Sequence, residues 1–433
     1  MTTPFHLGWF MSFRPPAFPD QWVGADAAEW TNGRFYEDFA RSLERAKFDY
    51  IMIEDSSMVP DAYAGTSEID LKYSLYAPKH DPLALAALMA DVTSRLGIVA
   101  TASSTFYPPY LLARTMSTLD HLSRGRVGWN VVTSSEDRAA QNYGIDRLPE
   151  HDERYDRADE FIDLVGQLWD SWEEGAETQD RGTGAFVDHT KVHPIDFVGA
   201  HYSSRGPLNL PRSPQGRPVI CQAGGSGRGR RFGATHADTI IASAHGVEAM
   251  KAYRDSVREH LVEAGRDPDS CKVLFVVSPI VAESEAAAQD RFTSAWAPTD
   301  RRVEAALGHI SAYTENDMSQ FDLDKPVEEL TTNGHQSTLA MFMKRAEGGK
   351  TLREVAANWS ISCLDLVGTP SSVADQMEEA MEYVGGDGFL ISGATSRRYI
   401  TEVTDGLVPE LQRRGLTRTE YTHRTLRDNL LSF

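Results

Sequence analysis

Apolar residues along this chain follow two alternating rhythms. Short, near-continuous runs such as FHLGWFM (5–11), DYIMIED (49–55), GIVATASS (97–104) and PVICQAG (218–224) alternate with longer stretches whose apolar residues recur every three to four positions. In FYEDFARSLERAKF (35–48), Phe35, Phe39, Leu43 and Ala46 fall on one side of a helix. The same reading predicts a strand inside RGRVGWNVVTSS (124–135) and others at 238–244, 272–282 and 388–393, with helices over 82–96, 109–123 and 153–172. Eight apolar runs separated by helices fit a parallel sheet covered on both faces. The count of eight favours a closed (β/α)8 TIM barrel of the α/β class over an open doubly wound sheet.

Three stretches interrupt the alternation. They are the loop at about 56–80 after the second strand, a polar Gly-, Asp- and His-rich segment at about 173–216 without clear period, and 300–362. The last is expected as a helical excursion of the kind that lids a barrel's active site. The expectation is a single barrel unit, 1–433, carrying these insertions.

Composition adds limits. With 41% hydrophobic and 24% charged residues the chain has material for a sizeable core. The formal net charge of -20 is spread through helical stretches such as EHDERYDRADEFIDLV, which argues against nucleic acid or an anionic membrane as partner. The cysteines, Cys221, Cys271 and Cys363, lie far apart without CxxC spacing, as in a reduced, cytosolic protein. MTTPFHLGWFMSF lacks the layout of a secretory leader, and the absence of any apolar run of roughly 18 residues predicts no membrane span.

In a barrel of this kind the reacting groups gather where strands end and loops begin. That rule selects Asp55 after the second strand, Thr101 and Ser103 on the third, Asn130 on the fourth, and Gly224, Gly225 and Ser226 after the fifth. Asn130 stands out because its amide sits among Val127, Val131 and Val132. QAGGSGRGRRFG (222–233) passes from strand through glycines and a serine into a helix, where free backbone N–H groups favour a phosphate. Position 230 is Arg, so this is no dinucleotide fingerprint, and no Gly-Lys-Ser/Thr follows as in a Walker loop. A mononucleotide phosphate fits, with Arg228 or Arg230 as charge support; an ordinary Gly-rich helix start fits the segment alone as well. His151 and Tyr155, four apart, share one helix face. The chain holds no HExxH, no CxxC and no GxSxG elbow, so neither a metal site nor a serine nucleophile is expected. Tyr63, Tyr73 and Tyr76, together with Trp9, Phe10 and Phe106, are either an aromatic substrate pocket or packing under a lid. Basic residues are sparse there apart from Lys72 and Lys79, which favours a neutral substrate over a polycarboxylate.

GRVGWNVVTS, EHDERYDRADEF, FYPPYLLAR, RGPLNLPRSPQGRPVICQAGGS and the closing TEYTHRTLRDNL together resemble the flavin-dependent monooxygenases related to nitrilotriacetate and dibenzothiophene sulfone monooxygenases, within the bacterial luciferase-like group. The likeness runs through nearly the whole chain in order and is weakest at about 300–350. It implies a barrel that takes reduced FMN from a separate NAD(P)H:flavin reductase and uses O2 to oxygenate a small organic molecule, in a homodimer or homotetramer. Carried over by motif, Asp55, Thr101, Asn130, His151, Tyr155 and Ser226 would bind the flavin. Tyr155 and Ser226 would sit at its phosphate, and Thr101 and Asn130 beside its ring where oxygen reacts; Phe10 and Phe106, from the aromatic set above, are the candidate substrate contacts. The competing expectations are a deazaflavin-dependent oxidoreductase, a phosphate-binding lyase or isomerase with Asp55 and His151 as acid and base, and a non-catalytic flavin-binding protein.

Overall fold

Each apolar run pairs in parallel with its neighbours until the first meets the last. The computed structural model describes residues 4–12 and 29–432. Its barrel strands are β1 (His6–Met11), β2 (Tyr50–Ile53), β3 (Gly97–Ser103), β4 (Val127–Val132), β5 (Val219–Gln222), β6 (Thr239–Ala242), β7 (Lys272–Val277) and β8 (Gly388–Ser392). They close in the order β1-β8-β7-β6-β5-β4-β3-β2, the (β/α)8 barrel expected from the pattern. The main helices are α1 (Gly33–Arg45), α2 (Pro82–Asp91), α3 (Pro109–Ser123), α4 (His151–Asp170), α5 (Gly227–His236), α6 (Val247–Glu263), α7 (Glu285–Ala295), α8 (Asp300–Thr314), α9 (Gln336–Ala346), α10 (Leu352–Ala357), α11 (Pro370–Val384) and α12 (Leu426–Leu431).

The two-residue period of a strand sorts each run into two apolar clusters. Ile51, Ile53, Ile98, Ala100, Val127 and Trp129 join the larger cluster beneath the helices. Tyr50, Met52, Val99, Val219, Cys221, Leu274 and Leu390 fill the lumen. Leu426 and Leu430 of α12 join that inner cluster, and Leu426 N donates to Gly125 O at 2.9 Å, so the C-terminal helix stoppers the end where strands begin. At the same end Arg418 Nη2 donates to Asp49 Oδ1 at 2.6 Å. The opposite end, where strands finish, stays available for chemistry.

Two expectations need correction. The run KVLFVVSPIVA is not one strand: β7 stops at Val277 before Ser278-Pro279, and Ile280–Val281 pairs with Val367–Gly368 outside the barrel. Proline has no N–H to give a central ladder, so the chain leaves the barrel there. The polar segment 173–216 also has order that its sequence period does not reveal. It holds two small antiparallel hairpins, Glu177–Asp180 with Ala185–Val187 and Phe197–Val198 with Ser203–Ser204. The stretch 300–362 is helical, with α8, α9 and α10 around Val303, Leu307, Ile310, Phe342, Val355 and Trp359. No helix of the described residues is long and apolar enough to cross a membrane.

Candidate active site

Consecutive residues of β4 face opposite ways. Trp129 points outward, donates Nε1–H to Ala102 O at 2.9 Å and packs against Phe161 and Trp169. Asn130 therefore lies on the lumen side, in register with Thr101 of β3 and Cys221 of β5. Its Nδ2 donates to Thr101 Oγ1 at 2.9 Å, and the Thr101 hydroxyl donates to Ile53 O at 2.7 Å. Thr101 is fixed as a relay, but Asn130 Oδ1 is buried and has no partner among the described residues. An orphaned buried acceptor costs about 1–3 kcal/mol, and Asn130 is an unmet acceptor near the strand ends.

The glycine loop after β5 runs straight into the start of α5. Ser226 caps α5, its Oγ accepting from Gly229 N at 3.0 Å, which leaves the earlier N–H groups of the helix directed outward. Tyr253 donates to Gly224 O at 2.6 Å and Arg230 Nη1 to Gly225 O at 2.7 Å, so two carbonyl dipoles are tied away from the helix start. Burial pushes the Tyr155 pKa up despite Arg154, Ser226 and Gln222 beside it, so the phenol stays neutral. His151 opens α4 with its ring 5.2 Å from that of Tyr155 and its Nδ1 2.6 Å from Asp152 Oδ1. The structure thus brings His151, Tyr155 and Ser226 together. The expected charge support differs: Arg228 is held by Asp156 at 2.9 Å and Asp159 at 2.5 Å, and Arg230 by the loop carbonyl.

Asp55 follows the end of β2, at the barrel mouth. Burial pushes its carboxyl up to about 6; Lys79 opposes this, and Asp81 and Glu54 add to it. Lys79 is itself tied down, to Ser56 Oγ at 2.8 Å and Glu54 Oε1 at 3.5 Å. Ser57 Oγ donates to Asp55 at 3.4 Å and accepts from Tyr143 Oη at 3.0 Å, and Phe106 stacks on Tyr143 at 4.4 Å. Phe10, paired with Met52 across β1 and β2, packs against the inner cluster. Phe10 and Phe106 therefore flank the same mouth.

The other aromatics pack elsewhere. Trp9 is fully buried on the outer side of β1, edge-on to Phe39 at 5.1 Å. Tyr73 donates to Glu304 at 2.6 Å, Tyr76 leans on His309 and Tyr313, and Tyr63 joins the cluster of the 300–362 insertion. They seat the loop 56–80 on α8, because a long loop needs an apolar anchor of its own.

Residues that the sequence did not single out complete the picture. Arg154 is 2% exposed and donates to Pro149 O at 2.7 Å and Asn333 O at 2.8 Å. Gln222 Oε1 is buried without a partner among the described residues. Ile361 reaches the inner cluster from the end of the insertion. Only the position of Gln222 at the end of its strand offered a signal; Arg154 reads as one charge among many on an acidic helix. No group of three or more His, Cys, Asp or Glu suited to a metal occurs among the described residues.

The chain matches the family described as luciferase-like monooxygenase over residues 5–388. It is 40% identical over 419 residues to a dibenzothiophene-sulfone monooxygenase of Rhodococcus erythropolis, covering 94% of this chain and 92% of that one. It is 37% identical to component A of a nitrilotriacetate monooxygenase of Aminobacter aminovorans, covering 92% and 90%. A riboflavin lyase solved with modified FMN and riboflavin superposes with a TM-score of 0.90 at 32% identity, covering 100% of this chain and 96% of that one.

Proposed function

Because the chain belongs to the luciferase-like monooxygenase family, we propose that it is the oxygenating partner of a two-component system, receiving reduced FMN from a separate NAD(P)H:flavin reductase. The bound flavin would supply the electrons that activate O2 for insertion into a small organic substrate. The observation that carries this reading is the unpartnered Asn130 Oδ1 at the barrel mouth, an acceptor waiting for the kind of N–H a flavin ring offers.

The residues divide the work. Tyr155 and Ser226 hold the phosphate end together with the start of α5, and His151 lies beside them. Asn130 and Thr101 orient the ring, and Asp55, with its raised pKa, supplies a polar contact at the mouth. The apolar lumen beneath, Met52, Val99 and Cys221, keeps water from the reacting face. Phe10 and Phe106 would meet the substrate. Glu54, Asp55 and Asp81 outnumber Lys79 there, which supports a neutral substrate over a polyanion. The sulfone in the name of the 40% identical relative is the first to try.

The test mixes the protein with photoreduced FMN, dibenzothiophene sulfone and O2, follows the flavin spectrum, and assays for oxygenated product. Reduced deazaflavin and nitrilotriacetate serve as comparators. An oxygen-dependent product with FMN and none with deazaflavin is expected. Turnover without flavin or oxygen would overturn the reading.

A further inference from the structure

The insertion 300–362 does more than cover the barrel; one turn of it reaches the glycine loop. The segment Thr332–Ser337, which leads into α9, lies as a strap across the ends of β4 and β5. A Cβ built at Gly225 would lie 2.6 Å from Ser337 Cβ and 2.9 Å from Ser337 Oγ, so glycine stands at 225 because the strap occupies that space. Ser337 is the second residue of α9, whose start has no side-chain cap. Gln336 N donates to Gly334 O at 3.0 Å, which leaves the N–H groups of Ser337 and Thr338 as open donors among the described residues.

The strap is fastened at defined points. His151 N donates to Asn333 Oδ1 at 2.9 Å, and Asn333 Nδ2 donates to Pro149 O at 3.3 Å. His335 N donates to Tyr313 O at 2.9 Å, and Thr332 Oγ1 to Thr314 O at 2.7 Å. Gly334 fits where a Cβ would lie 2.7 Å from Tyr313 O and 3.1 Å from Ser135 O. Beneath it lies Arg154, whose hydrogen bonds among the described residues go to carbonyl oxygens alone and whose Nε, nine-tenths buried or more, has none. Glu136, Glu315 and Asp137 lie close enough to act on its charge, and its Nε adds a buried donor that the carbonyl bonds leave over. The residue next to it, Tyr155, already faces the glycine loop.

We propose that the strap Asn333–Ser337 is the outer wall of the phosphate pocket, with Ser337 and the start of α9 donating to the phosphate opposite Ser226, and Arg154 supplying compensating positive charge. This rests on the flavin reading above and extends it: the pocket has two walls, one from the barrel and one from the insertion, so binding the phosphate fixes the lid. A ligand without the phosphate would leave the strap without its second anchor.

Anaerobic titrations of reduced FMN and reduced riboflavin, read by flavin absorbance, test the assignment on Ser337→Ala, Ser337→Asp and Ser226→Asp, with circular dichroism to verify folding. The expected result is that Ser337→Asp weakens FMN about tenfold or more through like-charge repulsion while riboflavin changes less than about twofold. Ser337→Ala should give a smaller loss, again confined to FMN. If both Ser337 variants keep the parent's preference for FMN over riboflavin while Ser226→Asp loses it, the strap proposal is overturned and the flavin reading stands. If the parent shows no such preference and Ser226→Asp changes nothing, the phosphate pocket itself falls, and the strap with it.

Discussion

At the scale of single residues, Asn130 and Trp129 separate what is structural from what is available. Trp129 has its one donor satisfied and its ring packed, so it belongs to the barrel wall. Asn130 spends one N–H on Thr101 and keeps a buried oxygen unmet. A residue kept for packing would be more stable without that oxygen, which gives a prediction with opposite signs for the two roles. Asn130→Leu should leave the melting temperature unchanged or raise it by a few degrees, since an orphan is removed and Thr101 still donates to Ile53 O. The same change should weaken reduced-FMN binding about tenfold or more. Calorimetry and flavin titration on one sample decide: loss of stability with binding intact would make Asn130 a core amide and no more.

At the scale of elements, the sequence period was enough for the barrel because a strand buried on both faces must be apolar at nearly every position, and eight such runs are conspicuous. The end of β7 was not legible from hydrophobicity, since Ile280 and Val281 continue the run while Pro279 ends the ladder. The site was legible where chemistry is local, as in the Gly224–Ser226 loop capped by its own serine. It was hidden where partners are remote, as with Arg154 and Asn333, 179 residues apart. The loop 56–80 shows the same limit. Its helix Glu68–Tyr73 and the turn after it set Ile69 and Leu75 against Gly308 of α8 and bury Asp70, whose two oxygens have no hydrogen-bond partner among the described residues. Burial and the charge of Asp61 push the Asp70 carboxyl up to about 7, so the folded state binds a proton the unfolded chain would release near pH 4. Stability from this group is present at low pH and declines as pH rises through 7. Asp70→Asn cannot ionise, so its stability relative to the parent should improve by about 1–2 kcal/mol between pH 5.5 and 8. Urea denaturation at the two pH values measures it, and a constant gap would mean that Asp70 is already ionised at pH 5.5.

At the scale of the whole molecule, the charge and the proposed ligand oppose each other. A net charge of -20 surrounds a pocket proposed for a phosphate, while Arg228, on α5, is neutralised by Asp156 and Asp159. Binding must then come from short-range groups, the start of α5, Ser226 and Tyr155 with the proposed Ser337 wall and the buried Arg154, acting inside a field that repels the ligand at a distance. Short-range hydrogen bonds barely respond to salt, whereas the long-range repulsion is screened within about 10 Å at 0.1 M ionic strength. The association rate of reduced FMN should therefore rise with salt, by about two- to tenfold between 10 and 200 mM, the reverse of an electrostatically steered ligand. Reduced riboflavin, lacking the phosphate, should show almost no change, and the dissociation rate of FMN should move little. Anaerobic stopped-flow mixing without any reductase measures both rates directly. A rate for FMN that falls with salt would mean that the entrance carries a local positive field strong enough to outweigh the molecule's net charge, with Arg154 and Arg230 the first side chains to replace in search of it.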